Sequence, residues 1–262
     1  MSGRSIVEWF RKRIAPGFRQ GAESPQDLPR TNIPRHVAVI MDGNGRWAQE
    51  RGLPRVAGHR QGMKAVKRVV RAADNIGVKV LTLYAFSTEN WKRPKDEVDF
   101  LMKLPQEFLA IELNELIENN VQVRMMGKME GLPEHTLAAV REAVRQTETN
   151  TGLILNFALN YGSRLEMAEA ARQLAKKAVR GELDPDDITE EEFQRHLLSK
   201  DLPDPDLLIR TSGELRLSNF MLWQLAYSEF WFTDVYWPEF TEDHFYAAVR
   251  EYQRRVRRYG GL

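Results

Sequence analysis

Val37-Ala-Val-Ile-Met41 is a short, uninterrupted apolar run, and Asp42-Gly-Asn-Gly-Arg-Trp47 follows it directly. A run of this length without alternating polar residues is typical of a strand buried on both faces, as in a parallel sheet. The polar, glycine-rich residues after it then lie at the carboxyl end of that strand. Ligands bind at this edge of open parallel sheets, so the stretch indicates both the fold class and the place of the site.

Outward from this stretch, apolar runs and helical patterns alternate along the chain. Further strands are predicted at 80–86, 121–126, 153–159, 207–210 and 232–236. Helices are predicted at 63–75, 98–119, 137–149, 163–179, 189–198 and 242–259, two of them opened by apparent capping boxes, Ser163 with Glu166 and Thr189 with Glu192. Such alternation predicts an α/β fold with a central, mostly parallel six-stranded sheet flanked by helices. With no internal repeat and no linker after Pro34, we expect a single domain over 34–262.

Residues 1–33 differ from the rest of the chain and are predicted to form a separate arm. Within residues 4–18, large apolar side chains are interleaved with four basic ones. This mixture fits a short amphipathic helix that contacts a membrane surface, or equally a disordered tail. Residues 19–34 are polar, contain three prolines and indicate a linker.

Composition excludes several classes of protein. The 262 residues include 38 basic and 37 acidic side chains, and the net charge of +1 argues against a general polyanion binder. The absence of cysteine excludes disulfides, thiol nucleophiles and cysteine-ligated zinc. We find no apolar run near the roughly 18 residues that span a bilayer, and no secretory signal, so a cytoplasmic location is expected.

The residues after the first strand have the character of a diphosphate site. Two glycines allow backbone N–H groups to approach an anion closely, and Arg46 adds a fork of donors. Arg51, Arg55, His59 and Arg60 follow where the next helix begins. A carboxylate beside phosphates needs a divalent metal between them, so Asp42 suggests Mg²⁺. The alternative is a tight turn with Asp42 as a helix cap.

Two other strands are followed by polar residues at the same edge of the sheet. Ser87-Thr-Glu-Asn-Trp-Lys-Arg-Pro94 offers a hydroxyl, a carboxylate, an amide and a guanidinium, although a capped helix start would look similar. After the strand at 207–210, Arg210, Arg216 and Ser218 are candidates for a second anion site. Glu229 stands among aromatic residues, where a carboxylate needs a cationic partner or a metal.

Other familiar signals are absent or explained otherwise. The sequence contains no P-loop, no G-x-G-x-x-G after a strand and no nucleophile elbow. The acidic run at 186–190 precedes a helix, whose N-terminus favours acidic side chains, so we do not assign it to a metal. The basic run at 254–258 fits a solvated last helical turn better than a nucleic-acid contact, and no nucleic-acid partner is predicted.

Together these features indicate two anionic substrates joined around a metal. A long apolar helix and bulky strands could enclose a slot for a hydrocarbon tail on a diphosphate. Composition alone does not distinguish such a substrate from a sugar nucleotide or another phosphorylated metabolite.

Five separated motifs resemble those of the cis-prenyltransferases, and most closely the bacterial undecaprenyl diphosphate synthases among them. They are His36-Val-Ala-Val-Ile-Met-Asp-Gly-Asn-Gly-Arg-Trp-Ala48, Gly58-His-Arg-Gln-Gly62, Phe86-Ser-Thr-Glu-Asn-Trp91, Asn160-Tyr-Gly-Ser-Arg164, and Asp206-Leu-Leu-Ile-Arg-Thr-Ser-Gly-Glu214 with Trp237-Pro238. The resemblance extends over roughly residues 34–255. Thr88 stands where the family often has serine, which is a mild departure.

The resemblance implies a homodimer whose single α/β domain encloses an elongated hydrophobic tunnel. It implies Mg²⁺-dependent condensation of farnesyl diphosphate with successive isopentenyl diphosphates, each new double bond being cis. The product would be a long-chain polyprenyl diphosphate of the undecaprenyl type, a lipid-carrier precursor for the bacterial cell wall, made in the cytoplasm at the inner face of the membrane. Product length is not fixed by the sequence, and Ala85, Leu101, Leu104 and Leu153 are candidate tunnel residues.

The resemblance also assigns site residues. Asp42 matches the catalytic, Mg²⁺-linked aspartate, and Glu229 matches a second metal carboxylate. Residues matching the allylic diphosphate site are Gly43, Asn44, Gly45, Arg46, Arg55 and His59, with Trp47 as a neighbour. Arg210, Arg216 and Ser218 match the isopentenyl diphosphate site. Ser87, Asn90 and Arg93 match residues that place the incoming substrate and the departing proton, with Asn90 counted as catalytic. Trp91 matches an aromatic residue beside that site, and Glu89 is expected to bind substrate. The proton acceptor is left open between the leaving diphosphate and a group near Asn90.

Two competing functions remain at this stage. One is a non-catalytic subunit that binds polyprenyl lipids, and the joint presence of the assigned acids, amide and arginines counts against it. The other is a nucleotide- or RNA-binding protein that uses the basic C-terminus, which would bind nucleic acid in a salt-sensitive way.

Overall fold

Six strands form the central sheet of the computed structural model, which describes residues 28, 29 and 31–255. They are β1 (His36–Ile40), β2 (Val80–Ser87), β3 (Gln122–Met126), β4 (Ile154–Tyr161), β5 (Leu207–Arg210) and β6 (Glu229–Phe232). Their order across the sheet is β3-β4-β2-β1-β5-β6, and every neighbouring pair is parallel. The predicted α/β class and six-stranded parallel sheet are therefore confirmed.

Seven helices connect or flank these strands within the described residues. They are α1 (Asn44–Glu50), α2 (Arg55–Ile76), α3 (Lys95–Glu118), α4 (Glu134–Thr147), α5 (Ser163–Val179), α6 (Glu190–Gln194) and α7 (Glu242–Arg254). Short 3₁₀ turns occur at Thr88–Lys92, Pro185–Asp187 and Trp237–Glu239. None of the helices in the described part is both long and apolar enough to cross a membrane.

The first strand is buried on both faces, as its apolar run predicts. Val37 and Val39 pack in the larger hydrophobic cluster, and Ala38 and Ile40 pack in a second cluster. The period of two along a strand places these pairs on opposite faces of the sheet. Because β1 lies between β2 and β5, the residues that follow all three strands meet at one edge of the sheet.

Three local predictions differ from the structure. The glycine-rich residues after β1, for which no helix is predicted, form α1, because Gly43 adopts a left-handed φ of 100° that turns the chain directly into a helix. The sixth strand begins at Glu229, earlier than predicted, because β5 pairs its residues Leu207–Arg210 with Glu229–Phe232. Glu166 does not cap α5: it is buried and accepts hydrogen bonds from Tyr161 and Gln224.

Other boundaries agree closely with the sequence. Helix α5 spans 163–179 and β5 spans 207–210, both as predicted. Thr189 caps α6 by accepting a hydrogen bond from the backbone of Glu192 at 3.2 Å. The last helix is described to Arg254. The predicted amphipathic segment at 4–18 and the end of the last predicted helix lie outside the described residues.

Candidate active site

Asp42 lies two residues beyond the end of β1, where backbone contacts hold it firmly. Its N–H donates to the Thr211 hydroxyl at 2.9 Å, and that hydroxyl donates back to the Asp42 carbonyl at 2.7 Å. The Trp237 N–H donates to the same carbonyl at 3.0 Å. The loops after β5 and β6 thus fix the Asp42 backbone.

The Asp42 carboxylate is surrounded by donors. Oδ2 accepts a hydrogen bond from Arg210 at 2.9 Å, and Oδ1 accepts one from the Gly43 N–H at 2.7 Å. Arg46 lies 3.2 Å from Oδ1. Burial would raise the pKa of Asp42, but the hydrogen bond and charge of Arg210, together with Arg46, outweigh burial and hold the pKa below its usual value. The carboxylate is therefore ionised at neutral pH.

Glycines pack the start of α1 tightly against its surroundings. A side chain at Gly43 would lie 2.7 Å from the Tyr236 ring and 2.8 Å from the Ser212 Cβ, besides opposing the left-handed φ. A Cβ at Gly58 of α2 would lie 1.9 Å from the Asn44 carbonyl oxygen. This close approach brings Asn44 to the edge of the site. The buried side-chain oxygen of Asn44 has no hydrogen-bond partner among the described residues.

A second cluster forms around Glu97 of α3, a residue that sequence reasoning did not select. Arg55 donates to Glu97 at 3.2 Å, Arg93 donates to it at 2.8 Å, and the His59 Nε2 lies 3.3 Å from it. Glu97 is only 9% exposed. Burial would raise its pKa, yet the two arginines lower the pKa below the usual value. Burial, with the charges of Arg93 and Arg55, lowers the pKa of His59 to about 4, so its imidazole is neutral at pH 7.

The turn after β2 is fixed by its own polar side chains. The Asn90 Oδ1 accepts a hydrogen bond from the Ser87 N–H at 3.0 Å, which completes a capping box. This leaves the Asn90 amino group, a donor, as the part of the side chain available to a ligand. Trp91 donates to the Asn160 side chain at 2.7 Å, and Glu89 accepts from Asn219 at 2.8 Å. Trp91 and Glu89 therefore tie this turn to the end of β4 and to the loop after β5.

The loop after β5 carries the predicted second anion site. Arg210 is 2% exposed and bridges the Asp42 carboxylate and the Ser218 hydroxyl, to which it donates at 2.8 Å. Arg216 is more open, with 61% of its side chain exposed, and it pairs with Glu214. Glu214 also accepts from Arg46 at 2.9 Å. Two arginines of the site thus share one carboxylate that an incoming anion can replace.

These residues border one cavity of about 310 Å³. Its polar end is lined by Asp42, Asn44, His59, Ser87, Asn90, Arg93, Arg210, Arg216 and Ser218. Its apolar end is lined by Met63, Val66, Ala85, Leu101, Leu104, Phe108, Leu109, Val140, Phe157 and Leu159. Pockets of this size accept small organic ligands. The arrangement can hold an anionic group at one end and a hydrocarbon at the other.

Other predicted residues lie around this cavity or away from it. Gly43, Gly45, Arg46 and Arg55 do not line the cavity, although Arg46 lies 3.2 Å from Asp42 and the Arg55 guanidinium lies against Gly45. Trp47 packs under Arg51, whose guanidinium carbon is 4.6 Å from the ring centroid. Three of the four candidate tunnel residues, Ala85, Leu101 and Leu104, line the cavity, whereas Leu153 does not.

Glu229 is not brought to Asp42 within one chain. It opens β6 opposite Leu207 and therefore lies toward the amino end of the parallel sheet, whereas Asp42 lies beyond the carboxyl end. Its carboxylate accepts a hydrogen bond from Arg255 at 2.9 Å. Within one chain, the two carboxylates that the resemblance assigns to metal therefore lie toward opposite ends of the strands.

The donor set at Asp42 is compatible with Mg²⁺. Among the described residues no group of three acidic or histidine side chains could hold an ion unaided. Mg²⁺ often binds through one carboxylate, waters and substrate phosphates, and an ionised Asp42 beside an anion-binding cavity provides that first ligand. Any ion here would thus depend on a phosphorylated ligand.

Glu97 carried one sequence signal that could have revealed it. It follows Arg93 by four residues at the start of α3, a spacing that permits an ion pair on one helix face. Its contacts with Arg55 and His59 span 42 and 38 residues and become visible only in the fold.

Comparison with known proteins gives consistent matches. Residues 40–260 match a family model described as "Putative undecaprenyl diphosphate synthase". The isoprenyl transferase of Shouchella clausii is 67% identical over 240 residues, covering 92% of this chain and 93% of that relative. The isoprenyl transferase of Bacillus subtilis is 62% identical over 237 residues, covering 90% of this chain and 91% of that relative.

Solved structures share the fold. The crystal structure of lavandulyl diphosphate synthase from Lavandula x intermedia, in complex with dimethylallyl diphosphate, is 40% identical with a TM-score of 0.85, covering 87% of this chain and 98% of that one. The structure of a probable undecaprenyl diphosphate synthase from Campylobacter jejuni is 33% identical with a TM-score of 0.72, covering 88% of this chain and 100% of that one.

Proposed function

This chain belongs to the undecaprenyl diphosphate synthase family and is a prenyltransferase, and we propose that it condenses farnesyl diphosphate with successive isopentenyl diphosphates. Each condensation depends on Mg²⁺ and creates a cis double bond. The product is a long-chain polyprenyl diphosphate of the undecaprenyl type, a precursor of the lipid carrier used in bacterial cell-wall synthesis.

One observation carries this proposal: a single cavity joins a cationic polar end to an apolar end. Asp42 and Arg210 meet at the polar end, while leucine and phenylalanine side chains of α3 line the other end. A diphosphate with a hydrocarbon tail matches both ends, whereas a sugar nucleotide would place polar groups against apolar walls. The related lavandulyl diphosphate synthase was solved with dimethylallyl diphosphate, which supports a prenyl diphosphate as the ligand.

The allylic diphosphate is bound by residues at the start of α1 and α2. In this proposal Arg46 exchanges its contact with Glu214 for phosphate oxygens, and Arg55, still held by Glu97, donates its remaining N–H groups to them. The neutral His59 contributes one N–H donor. As the allylic carbon–oxygen bond breaks, negative charge gathers on the departing diphosphate. Fixed donors aimed at that charge stabilise the transition state, each contributing up to about 3–4 kcal/mol.

Isopentenyl diphosphate is bound on the opposite side of Asp42 by Arg210, Arg216 and Ser218. These residues orient its double bond toward the carbon that the diphosphate leaves, and such orientation accounts for much of the rate. A new carbon–carbon bond forms and one proton is lost. Because the Asn90 oxygen already accepts from Ser87, its amino group orients an oxygen and does not take the proton. The leaving diphosphate is therefore the proton acceptor in this scheme.

The Asp42 carboxylate would hold Mg²⁺ together with diphosphate oxygens. The ion would neutralise charge on the leaving diphosphate. Arg210 keeps Asp42 ionised and oriented for this role through the hydrogen bond at 2.9 Å. Glu229 remains a predicted metal ligand whose carboxylate is paired with Arg255 in this chain.

The active enzyme is a homodimer in this scheme. Support comes from β6, which lies at one edge of the sheet and contains the partly exposed Phe230 and Phe232. An edge strand with apolar side chains favours pairing with another chain. We place the enzyme in the cytoplasm at the inner membrane face, where its lipid product is used, with residues 4–18 as the membrane contact.

Incubation of the purified protein with farnesyl diphosphate and labelled isopentenyl diphosphate tests this function. With Mg²⁺ we expect label in polyprenyl products many isoprene units longer than farnesyl, and a chelator abolishes the incorporation. Binding of polyprenyl lipids without any incorporation would instead favour a non-catalytic lipid-binding protein. Salt-sensitive binding to RNA without incorporation would favour the nucleic-acid alternative.

A further inference from the structure

The motif Asn160-Tyr-Gly-Ser-Arg164 belongs to the family resemblance but has no assigned site residue. It lies where β4 ends and α5 begins. At one end of the motif, the Asn160 side chain accepts a hydrogen bond from Trp91 of the turn after β2. At its other end, the first backbone N–H groups of α5 donate to Asn219 of the loop after β5. The motif therefore supports two polar segments of the cavity, and it holds one of them through Asn219.

Asn219 caps the start of α5 from another part of the chain. Its carbonyl accepts a hydrogen bond from the Ser163 N–H at 2.8 Å, and its side-chain Oδ1 accepts one from the Arg164 N–H at 2.8 Å. The first N–H groups of a helix have no partner within the helix, and Gly162, the residue before α5, has no side chain to supply one. Asn219 has a left-handed φ of 61°, which asparagine adopts more readily than most residues. The loop therefore depends on asparagine at this position.

The amino group of the Asn219 side chain binds the turn after β2. Its Nδ2 donates to the Glu89 carboxylate at 2.8 Å. Burial would raise the pKa of Glu89, but hydrogen bonds, first among them the one from Asn219, hold that pKa below its usual value. Gly162 permits the close approach, because a Cβ there would lie 2.9 Å from the Asn219 Nδ2 and 2.5 Å from the Thr88 hydroxyl. The segments after β2, β4 and β5 therefore meet at Asn219.

The two segments that Asn219 joins to each other both carry groups that border the cavity. Glu89 directly precedes Asn90, Asn219 directly follows Ser218, and both Asn90 and Ser218 line the polar end. Ser218 is held on its other side by Arg210, which donates to its hydroxyl at 2.8 Å. Because β1 lies between β2 and β5, the loop crosses the end of β1 to reach Glu89. The bond between Asn219 and Glu89 therefore sets the distance between Ser218 and Asn90.

We propose that Asn219 is a positioning residue for isopentenyl diphosphate, which holds Ser218 and Asn90 at the separation that one bound molecule of this substrate requires. The inference rests on the proposed condensation, in which Ser218 binds the diphosphate of this substrate and the Asn90 amino group orients an oxygen. Asn219 does not line the cavity and acts through these two neighbours. Farnesyl diphosphate is bound at the start of α1 and α2 in the same scheme, so it depends less on Asn219.

Asn219→Asp separates the two bonds of this side chain. The introduced carboxylate still accepts from the Arg164 N–H, and the N-terminus of α5 favours its charge, so we expect the fold to be preserved. Toward Glu89 it offers no donor, and the two carboxylates repel each other. We expect the KM for isopentenyl diphosphate to rise about tenfold, as for the loss of a hydrogen bond to a charged group, while the KM for farnesyl diphosphate changes less than about threefold. An equal rise in both KM values would overturn the inference, because it would indicate damage to the whole site.

The double variant Asn219→Asp/Glu89→Gln tests the link itself. It exchanges donor and acceptor, because the introduced amide can donate to the introduced carboxylate. We expect the KM for isopentenyl diphosphate to return to within about threefold of the parent value, as for two residues that act through one contact. A double variant no better than Asn219→Asp would overturn the inference.

Asn120→Asp is the matched control. Asn120 also has a left-handed φ, of 57°, and its side chain also accepts from a backbone N–H and donates to an oxygen, both of Thr151. It precedes β3 and so lies at the amino end of the parallel strands, away from the cavity. Its substitution should leave both KM values unchanged. If Asn219→Asp affects the KM for isopentenyl diphosphate no more than this control does, the inference is wrong.

Glu89→Ala serves if Asn219→Asp does not fold, because it removes the same bond without altering the left-handed residue. It should raise the KM for isopentenyl diphosphate more than that for farnesyl diphosphate, and an unchanged KM would overturn the inference. All of these outcomes leave the proposed function intact as long as the parent enzyme incorporates isopentenyl diphosphate. If the parent enzyme incorporates none, the proposed function fails first.

Discussion

Glu97→Gln removes the charge of the buried carboxylate that joins Arg55, His59 and Arg93. Breaking a fully buried ion pair costs about 3–5 kcal/mol. Here the arginine side chains are 44% and 34% exposed, so water compensates most of their lost pairing. We therefore expect the free energy of unfolding at pH 7 to fall by about 1–2 kcal/mol.

The same substitution is expected to weaken substrate binding more than it slows the chemistry. Without the carboxylate, Arg55 and Arg93 lose the contact that holds them beside the cavity. Asp42 and Arg210 keep their own hydrogen bond, so turnover at saturation changes little. We expect the KM for farnesyl diphosphate to rise about tenfold, equivalent to about 1.4 kcal/mol.

Urea unfolding and steady-state kinetics on the purified variant provide both measurements. Glu107→Gln is the matched control on the same helix, because Glu107 is exposed and lies 3.9 Å from Arg60. Such a surface pair contributes less than about 1 kcal/mol, and the control should leave KM unchanged. If both substitutions changed the free energy of unfolding and the KM by equally small amounts, Glu97 would not organise the two arginines. A fall in kcat at constant KM would mean that Glu97 acts in the chemistry instead.

Two further predictions concern stability. Burial lowers the pKa of His36 to about 4, so between pH 6.5 and 4 the unfolded chain binds a proton that the folded chain does not. Stability therefore falls as the solution is acidified, and from pH 7 to 5 His36 accounts for about 2 kcal/mol of that fall. Urea unfolding at both pH values should show a smaller fall for His36→Gln, and an identical fall would contradict the assignment. Gly58→Ala places a Cβ 1.9 Å from the Asn44 carbonyl oxygen. We expect it to lower stability by about 1–2 kcal/mol, since overpacking outweighs the higher helix preference of alanine, and to reduce activity by displacing Asn44. A variant as stable as the parent in thermal unfolding would show that α1 is not held by this contact.

The apolar run Val37–Met41 was sufficient to predict where the site lies. It has the length and composition of a buried strand, and the rule for parallel sheets then places Asp42 at the ligand-binding edge. Arg210 was placed at the same edge by its own short strand, and the structure joins it to Asp42 at 2.9 Å. At Asp42 and Arg210 the position predicted from the local sequence pattern is the position that the sheet topology gives.

Contacts between segments far apart in the chain could not be predicted from the sequence patterns. Glu97 gains its importance from Arg55 and His59 of another helix, and a pattern within α3 shows only Arg93. Glu229 lies at the amino end of β6, away from Asp42, and motifs matched one by one do not show which of them meet within one chain. The helix α1 was missed because Gly43 and Gly45 indicate a loop unless the left-handed turn at Gly43 is known.

Turnover of Asp42→Asn with farnesyl and isopentenyl diphosphates, measured across a Mg²⁺ titration, tests the central claim most directly. Asparagine keeps the shape of the side chain but not its charge, so the protein should fold normally and bind both substrates. We expect kcat to fall by at least about 100-fold at every Mg²⁺ concentration, as for the loss of one group that stabilises the leaving charge. Turnover close to that of the parent enzyme, with the same dependence on Mg²⁺, would contradict the role of the Asp42 carboxylate.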